Sequence, residues 1–198
     1  MPRTRIIVVG ASSKKAGKST VAARLVKELG AEYGLKVSSG GSTSLEPVTT
    51  DPRIISTPGT DTGALAEAGA STVIWVNASG PELASELPRA LSMFPPGGLL
   101  VIEGNSALEY VDPDFTIFVM NVPFEVFKPS ALSALGKADL VMINREDELS
   151  ILDTVQLETG VRKYAPEAGV ILFNRESGGL EGAMPETIRR SKAALDKT

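Results

Sequence analysis

The sequence predicts a three-layer α/β domain, a mostly parallel sheet with helices on both faces. Continuous apolar runs of strand length, such as Thr72-Val73-Ile74-Trp75-Val76 and Leu99-Leu100-Val101-Ile102, read as buried strands. Helical stretches separate these runs. The first run, Ile6-Ile7-Val8-Val9, breaks at Gly10, passes through a small-residue turn and meets Gly17-Lys18-Ser19 at the start of an amphipathic helix. Strand, glycine-containing turn and helix in that order make a phosphate-binding loop, placed at the C-terminal ends of the strands.

The loop has a physical rationale. A helix N-terminus presents unpaired N–H groups and a positive dipole end to an anion, and small residues let the backbone curl closely around it. The candidate contacts are Ser13, Lys14, Lys15, Ala16, Gly17, Lys18, Ser19 and Thr20. Lys18 would reach the β- and γ-phosphates, and the Ser19 hydroxyl would ligate Mg²⁺. Lys14 and Lys15 are either further phosphate contacts or solvated loop lysines. The usual glycine five positions before Gly17 is replaced by Ser12, which accepts positive φ less readily. An ordinary strand-to-helix turn is the alternative. Val21, Leu25, Val26 and Leu29 stripe the helix, and Gly30 offers its stop.

The remaining elements follow in chain order. Leu35 to Ser39 is a short strand that runs into Gly40-Gly41-Ser42, and from there to Pro58-Gly59 the chain, rich in Ser, Thr, Pro and Gly, forms a long irregular loop, either a switch or substrate lid or a surface insertion. A short helix spans Gly63 to Gly69, with Thr60, Asp61 or Thr62 as N-cap. Glu82 to Met93 is helical, kinked or begun late at Pro88. The strand Leu99 to Ile102 ends at Glu103-Gly104, where a carboxylate would organise metal or metal-bound water; a solvated strand end is the alternative. Phe115 to Met120 is a strand and Pro129 to Leu135 a short helix.

Ala138 to Ile143 is a strand that runs into Asn144-Arg145-Glu146-Asp147, a quartet that resembles the Asn-Lys-x-Asp guanine-reading motif of GTPases. Asn144 and Asp147 would hold the base and Arg145 would supply the basic stem. The competing reading makes Asn144 and Asp147 caps of the helix that follows. That helix runs to about Tyr164, a strand covers Val170 to Phe173, and a helix from Pro185 to Leu195 points Ile188, Ala194 and Leu195 inward.

Composition narrows the chemistry. With 198 residues, 42% of them hydrophobic and 22% charged, the chain has the make-up of one globular domain spanning 1–198. Its net charge of −4 argues against a nucleic-acid partner bound through a broad basic surface. No run reaches membrane-spanning length, so a cytoplasmic protein is expected. The absence of both cysteine and histidine removes thiol and imidazole chemistry and the usual soft-metal sites. Carboxylates, hydroxyls, lysine and arginine remain, a set suited to Mg²⁺ and to phosphoryl chemistry done by positioning.

With Gly59-Thr60-Asp61-Thr62, Ala68-Gly69-Ala70 and Ile102-Glu103-Gly104 following the loop, the chain resembles the P-loop NTPases of the group containing dethiobiotin synthetase and the nickel-insertion GTPases. Within that group it is most similar to the molybdopterin-guanine dinucleotide biosynthesis adaptor family, the B protein. The family's histidine-containing segment has no counterpart here. The resemblance implies a P-loop NTPase fold, GTP or ATP with Mg²⁺ as ligands, Asp61 and Glu103 beside Ser19 at the metal, and a homodimer. The expected function is a slow GTPase that acts as an adaptor in cofactor or metallocentre assembly, with Lys18, Glu103 and Asp61 as its catalytic groups. A kinase or ligase resembling dethiobiotin synthetase, with a small-molecule acceptor, and a nucleotide-sensing module without turnover are the alternatives.

Overall fold

The computed structural model describes residues 2–38, 46–122, 128–145, 151–174 and 179–197. Eight strands form one sheet: β1 (Arg5–Ala11), β2 (Tyr33–Ser38), β3 (Val48–Thr49), β4 (Thr72–Asn77), β5 (Leu99–Glu103), β6 (Phe115–Asn121), β7 (Leu140–Asn144) and β8 (Gly169–Phe173). Their spatial order is β3-β4-β2-β5-β1-β6-β7-β8. Every neighbouring pair is parallel except β3 with β4.

Helices cover both faces. α1 (Lys18–Leu29), α2 (Pro52–Ile55), α3 (Asp61–Glu67) and α7 (Gly179–Leu195) pack on one side with Ile7, Val9, Val101, Ile117 and Met142. α4 (Gly80–Leu91), α5 (Pro129–Gly136) and α6 (Ile151–Arg162) pack on the other with Val8, Ile74, Ile102 and Phe118. Because successive strand residues face opposite layers, a strand covered on both sides must be apolar throughout. Residues 99–102 of β5 are all buried and apolar for that reason.

The expected α1 stripe is present: Val21, Leu25 and Val26 are buried, Leu29 is partly so, and Gly30 closes the helix at φ 64. Thr60 is the N-cap of α3, its hydroxyl accepting from Gly63 N at 3.0 Å. Three expectations are corrected. The stretch read as irregular to residue 58 contains the edge strand β3 and the short helix α2, whose first turn Asp51 caps by accepting from Arg53 N. α4 begins at Gly80 and continues through Pro88, because Leu83, Leu87 and Ala90 anchor it on both sides of the missing N–H. α7 begins at Gly179, well before Pro185, because Leu180, Ala183 and Met184 bury themselves against the sheet. Packing outweighs the preference of proline for a first turn in both helices. No helix among the described residues is long and apolar enough to cross a membrane.

Candidate functional site

The phosphate loop starts where β1 ends. Ser12 N donates to Val119 O at 3.0 Å, continuing the β1–β6 ladder by one rung. On the other side Asn105 grips Ala11 twice, Oδ1 accepting from Ala11 N at 2.7 Å and Nδ2 donating to Ala11 O at 2.9 Å. Asn105 opens a 3₁₀ turn, residues 105–109, that the sequence reading did not contain. The approach is close at Gly10, where a Cβ would lie 2.9 Å from Asn105 Oδ1 and would push that side chain away from Ala11. Gly17 takes φ 100 as the N-cap of α1. Among the described residues no side chain caps that helix and no acid stands in its first turn, which leaves its first N–H groups available to an anion without a competitor. No described residue other than glycine has positive φ, so Ser12 occupies its place without the backbone conformation that would have favoured glycine.

Beside the loop lies a cluster of four charges that joins α1, α3, β2 and β5. Lys36 and Glu103 are register partners on adjacent strands, as are Glu103 and Val9, which brings the carboxylate next to the loop strand. Glu103 is fully buried. Its Oε1 accepts from Lys36 Nζ at 2.6 Å and from Ser19 Oγ at 3.1 Å, and Lys18 Nζ stands 3.3 Å away. Asp61 comes from the first turn of α3, its Oδ1 accepting from Ser19 Oγ at 2.6 Å and its Oδ2 from Lys36. Gly104, at φ 150, allows the end of β5 to pass β2, where a Cβ would lie 2.5 Å from Val37 O.

The electrostatics follow from these contacts. Burial alone pulls the Lys36 ammonium toward neutrality, yet the charges of Glu103 and Asp61 and its hydrogen bonds to both hold it above the ordinary lysine value. Burial alone pushes the Asp61 carboxyl up, but hydrogen bonds from Lys36 and Ser19, with the charges of Lys36 and Lys18, bring it below the usual carboxylate range. Both groups are charged at neutral pH.

A cleft of about 940 Å³ opens over this cluster. Ser13, Lys14, Lys18, Ser19 and Asp61 line it. Lys15 and Thr20 are exposed but do not line it, and the Ala16 methyl is in the core. The cleft continues along the ends of β2 and β4 to Trp75, Arg53 and Thr57. Asn144 and Arg145 stand at the end of β7, two strands beyond β1, and do not line the cleft. There Asn144 Nδ2 donates to Asn121 Oδ1 at 3.1 Å, and the buried Arg145 Nε has no hydrogen-bond partner among the described residues. Asp147 lies outside the described residues.

Sequence reasoning missed Lys36 and Asn105. A lone lysine between Leu35 and Val37, in a strand otherwise apolar at its centre, is the available signal for the first. For the second, only its place just after Glu103-Gly104 could have pointed to it.

Ser19, Asp61 and Glu103 fit Mg²⁺ chemically: all are hard oxygen donors, and the buried Glu103 Oε2 has no hydrogen-bond partner among the described residues. Among the described residues no group of three or more acidic, histidine or cysteine side chains exists, so any metal set here combines two carboxylates with a hydroxyl.

The sheet order, the loop and the cluster define an α/β protein of the P-loop NTPase fold. The structure superposes on the hydrogenase maturation factor HypB of Archaeoglobus fulgidus with a TM-score of 0.58, at 15% identity, over 97% of this chain and 90% of that one. HypB of Helicobacter pylori, solved in complex with nickel, matches with a TM-score of 0.59 at 17% identity, over 98% of this chain and 86% of that one. At these identities the likeness shows the shared fold. No protein-family model and no curated protein matches the chain.

Proposed function

We propose that the chain is a Mg²⁺-dependent GTP-binding protein, a slow GTPase that acts as an adaptor in metallocentre or molybdopterin-type cofactor assembly, working as a homodimer. The observation that carries the nucleotide reading is the convergence of Lys18, Ser19, Asp61 and Glu103 at an uncapped helix N-terminus. Lys18 and the loop amides bind the phosphates and stabilise charge as it develops on them. Ser19, with Asp61 and Glu103, would hold Mg²⁺, which supplies electrostatic stabilisation of the transferring phosphate. Slow turnover is supported by the residues available: the chain has no histidine or cysteine, and with Asp61 and Glu103 assigned to the metal no side chain of the cluster is left to take a proton from water. The likeness to a hydrogenase maturation factor and the Asn144-Arg145-x-Asp147 quartet support an assembly role and a preference for guanine.

A second reading, a small-molecule kinase or ligase, is favoured by the length of the cleft, whose far end at Arg53, Thr57 and Trp75 has room for an acceptor. Calorimetry of GTP and ATP binding with Mg²⁺, on the wild type and Asp147→Ala, tests the choice. GTP is expected to bind more tightly, and the variant to lose that preference while still binding. Equal or better binding of ATP, unchanged in the variant, overturns the guanine reading.

A further inference from the structure

Lys36 occupies one oxygen of each of the two acids that a divalent metal would need, leaving Glu103 Oε2 without a hydrogen-bond partner among the described residues. Its ammonium donates to Asp61 Oδ2 and Glu103 Oε1, the hydroxyl of Ser19 shares its one proton between Asp61 Oδ1, the nearer, and Glu103 Oε1, and Lys18 stands beside the same Glu103 oxygen. Two ammonium groups thus balance two carboxylates, with no excess negative charge to attract a dication. Lys36 is anchored on β2 between β4 and β5, so its backbone is fixed by ladders on both sides and only its four-carbon stem can move. The stem is mostly covered, which holds the charge in an environment where its attraction for the acids is weakly screened.

We propose that Lys36 is a resident cation that keeps Asp61 and Glu103 closed to free divalent metal, so that Mg²⁺ enters only together with a nucleotide. A metal ion arriving alone must break charge-assisted hydrogen bonds and settle between two ammonium groups. A nucleotide changes that balance, because its phosphates offer both lysines a new partner and bring negative charge for the metal. The inference rests on the reading of Ser19, Asp61 and Glu103 as the metal-side groups.

The first test is Mn²⁺ binding without nucleotide, followed by electron paramagnetic resonance, in the wild type and in Lys36→Met, with circular dichroism to check folding. The variant is expected to bind Mn²⁺ at least about tenfold more tightly, having lost one repelling charge and kept both acids. Equal or weaker binding by the folded variant overturns the proposal. A second test needs no variant: the ammonium resonance of Lys36 is followed by NMR in the wild type. It should hold its position with Mg²⁺ alone and move when Mg²⁺ and GTP or ATP are added together. A signal that moves saturably with Mg²⁺ alone, or one that stays in place when metal and nucleotide bind, overturns it. A wild type that binds neither nucleotide overturns the function proposed above instead, and the Mn²⁺ comparison still decides the role of Lys36.

Discussion

Glu103 is the residue on which the charges of the site converge, and its burial sets the consequence of changing it. Replacing one member of a buried ionic group leaves the other without compensation, which typically costs about 3 kcal/mol or more. Glu103→Gln, of nearly the same shape, is therefore expected to lower stability by about 3 kcal/mol, read as a lower urea midpoint at unchanged slope. An unchanged midpoint would show that the Lys36 ammonium is already satisfied by Asp61. Much of this residue-level site could be read from the sequence, because Lys18, Ser19 and Glu103 sit at fixed offsets from strand ends and turn residues. Lys36 left only the faint signal of one charge in a short apolar strand, because a single residue leaves no periodic trace and its partners are distant in sequence. Asp61 depended on its resemblance to a family segment, since only the fold brings residue 61 to residue 19.

The element that delivers Asp61 is α3, and Thr60 fixes where it starts. The Thr60 hydroxyl accepts from Gly63 N and donates to Thr57 O at 2.7 Å, tying the first turn to the segment before it. Gly63 is required in that turn, where a Cβ would meet Thr57 O at 2.2 Å. Thr60→Ala removes the cap and is expected to cost about 1 kcal/mol of stability. Because Asp61 is the next residue, the variant should also bind Mg²⁺–nucleotide more weakly by calorimetry; unaltered affinity would mean that Lys36 and Ser19 alone orient the carboxylate. The cap, the α1 stripe and the buried strands were legible because propensity and packing agree there. The starts of α4 and α7 were not, because both helices run through a proline that local rules place at a first turn. α2 did carry a signal in Asp51-Pro52, an N-cap followed by a first-turn proline, which the surrounding Ser, Thr and Gly obscured.

At the scale of the whole molecule, the sheet order sets β1 centrally, with β5, β2, β4 and β3 on one side and β6, β7 and β8 on the other. A ligand at the end of β1 therefore touches elements from both halves, and binding should stabilise the entire sheet rather than one loop. At a hundred times its dissociation constant, a ligand adds about 2.7 kcal/mol, which for a chain of this size corresponds to a rise in Tm of roughly 5–10 °C. That rise is expected with Mg²⁺ and GTP, measured by calorimetric melting, and is expected to vanish in Lys18→Ala; an equal rise in the variant would place the nucleotide elsewhere. The grip of Asn105 on Ala11 bears on how such a ligand is felt. With the N–H and the carbonyl of Ala11 both held by one side chain, and Ser12 held by β6, the last rung of β1 behaves as a clamped beam end. Any backbone rearrangement on phosphate arrival is expected between Ser13 and Gly17, so the recoil passes along α1 while the end of β1 behind it stays still and only the lysine side chains around it move.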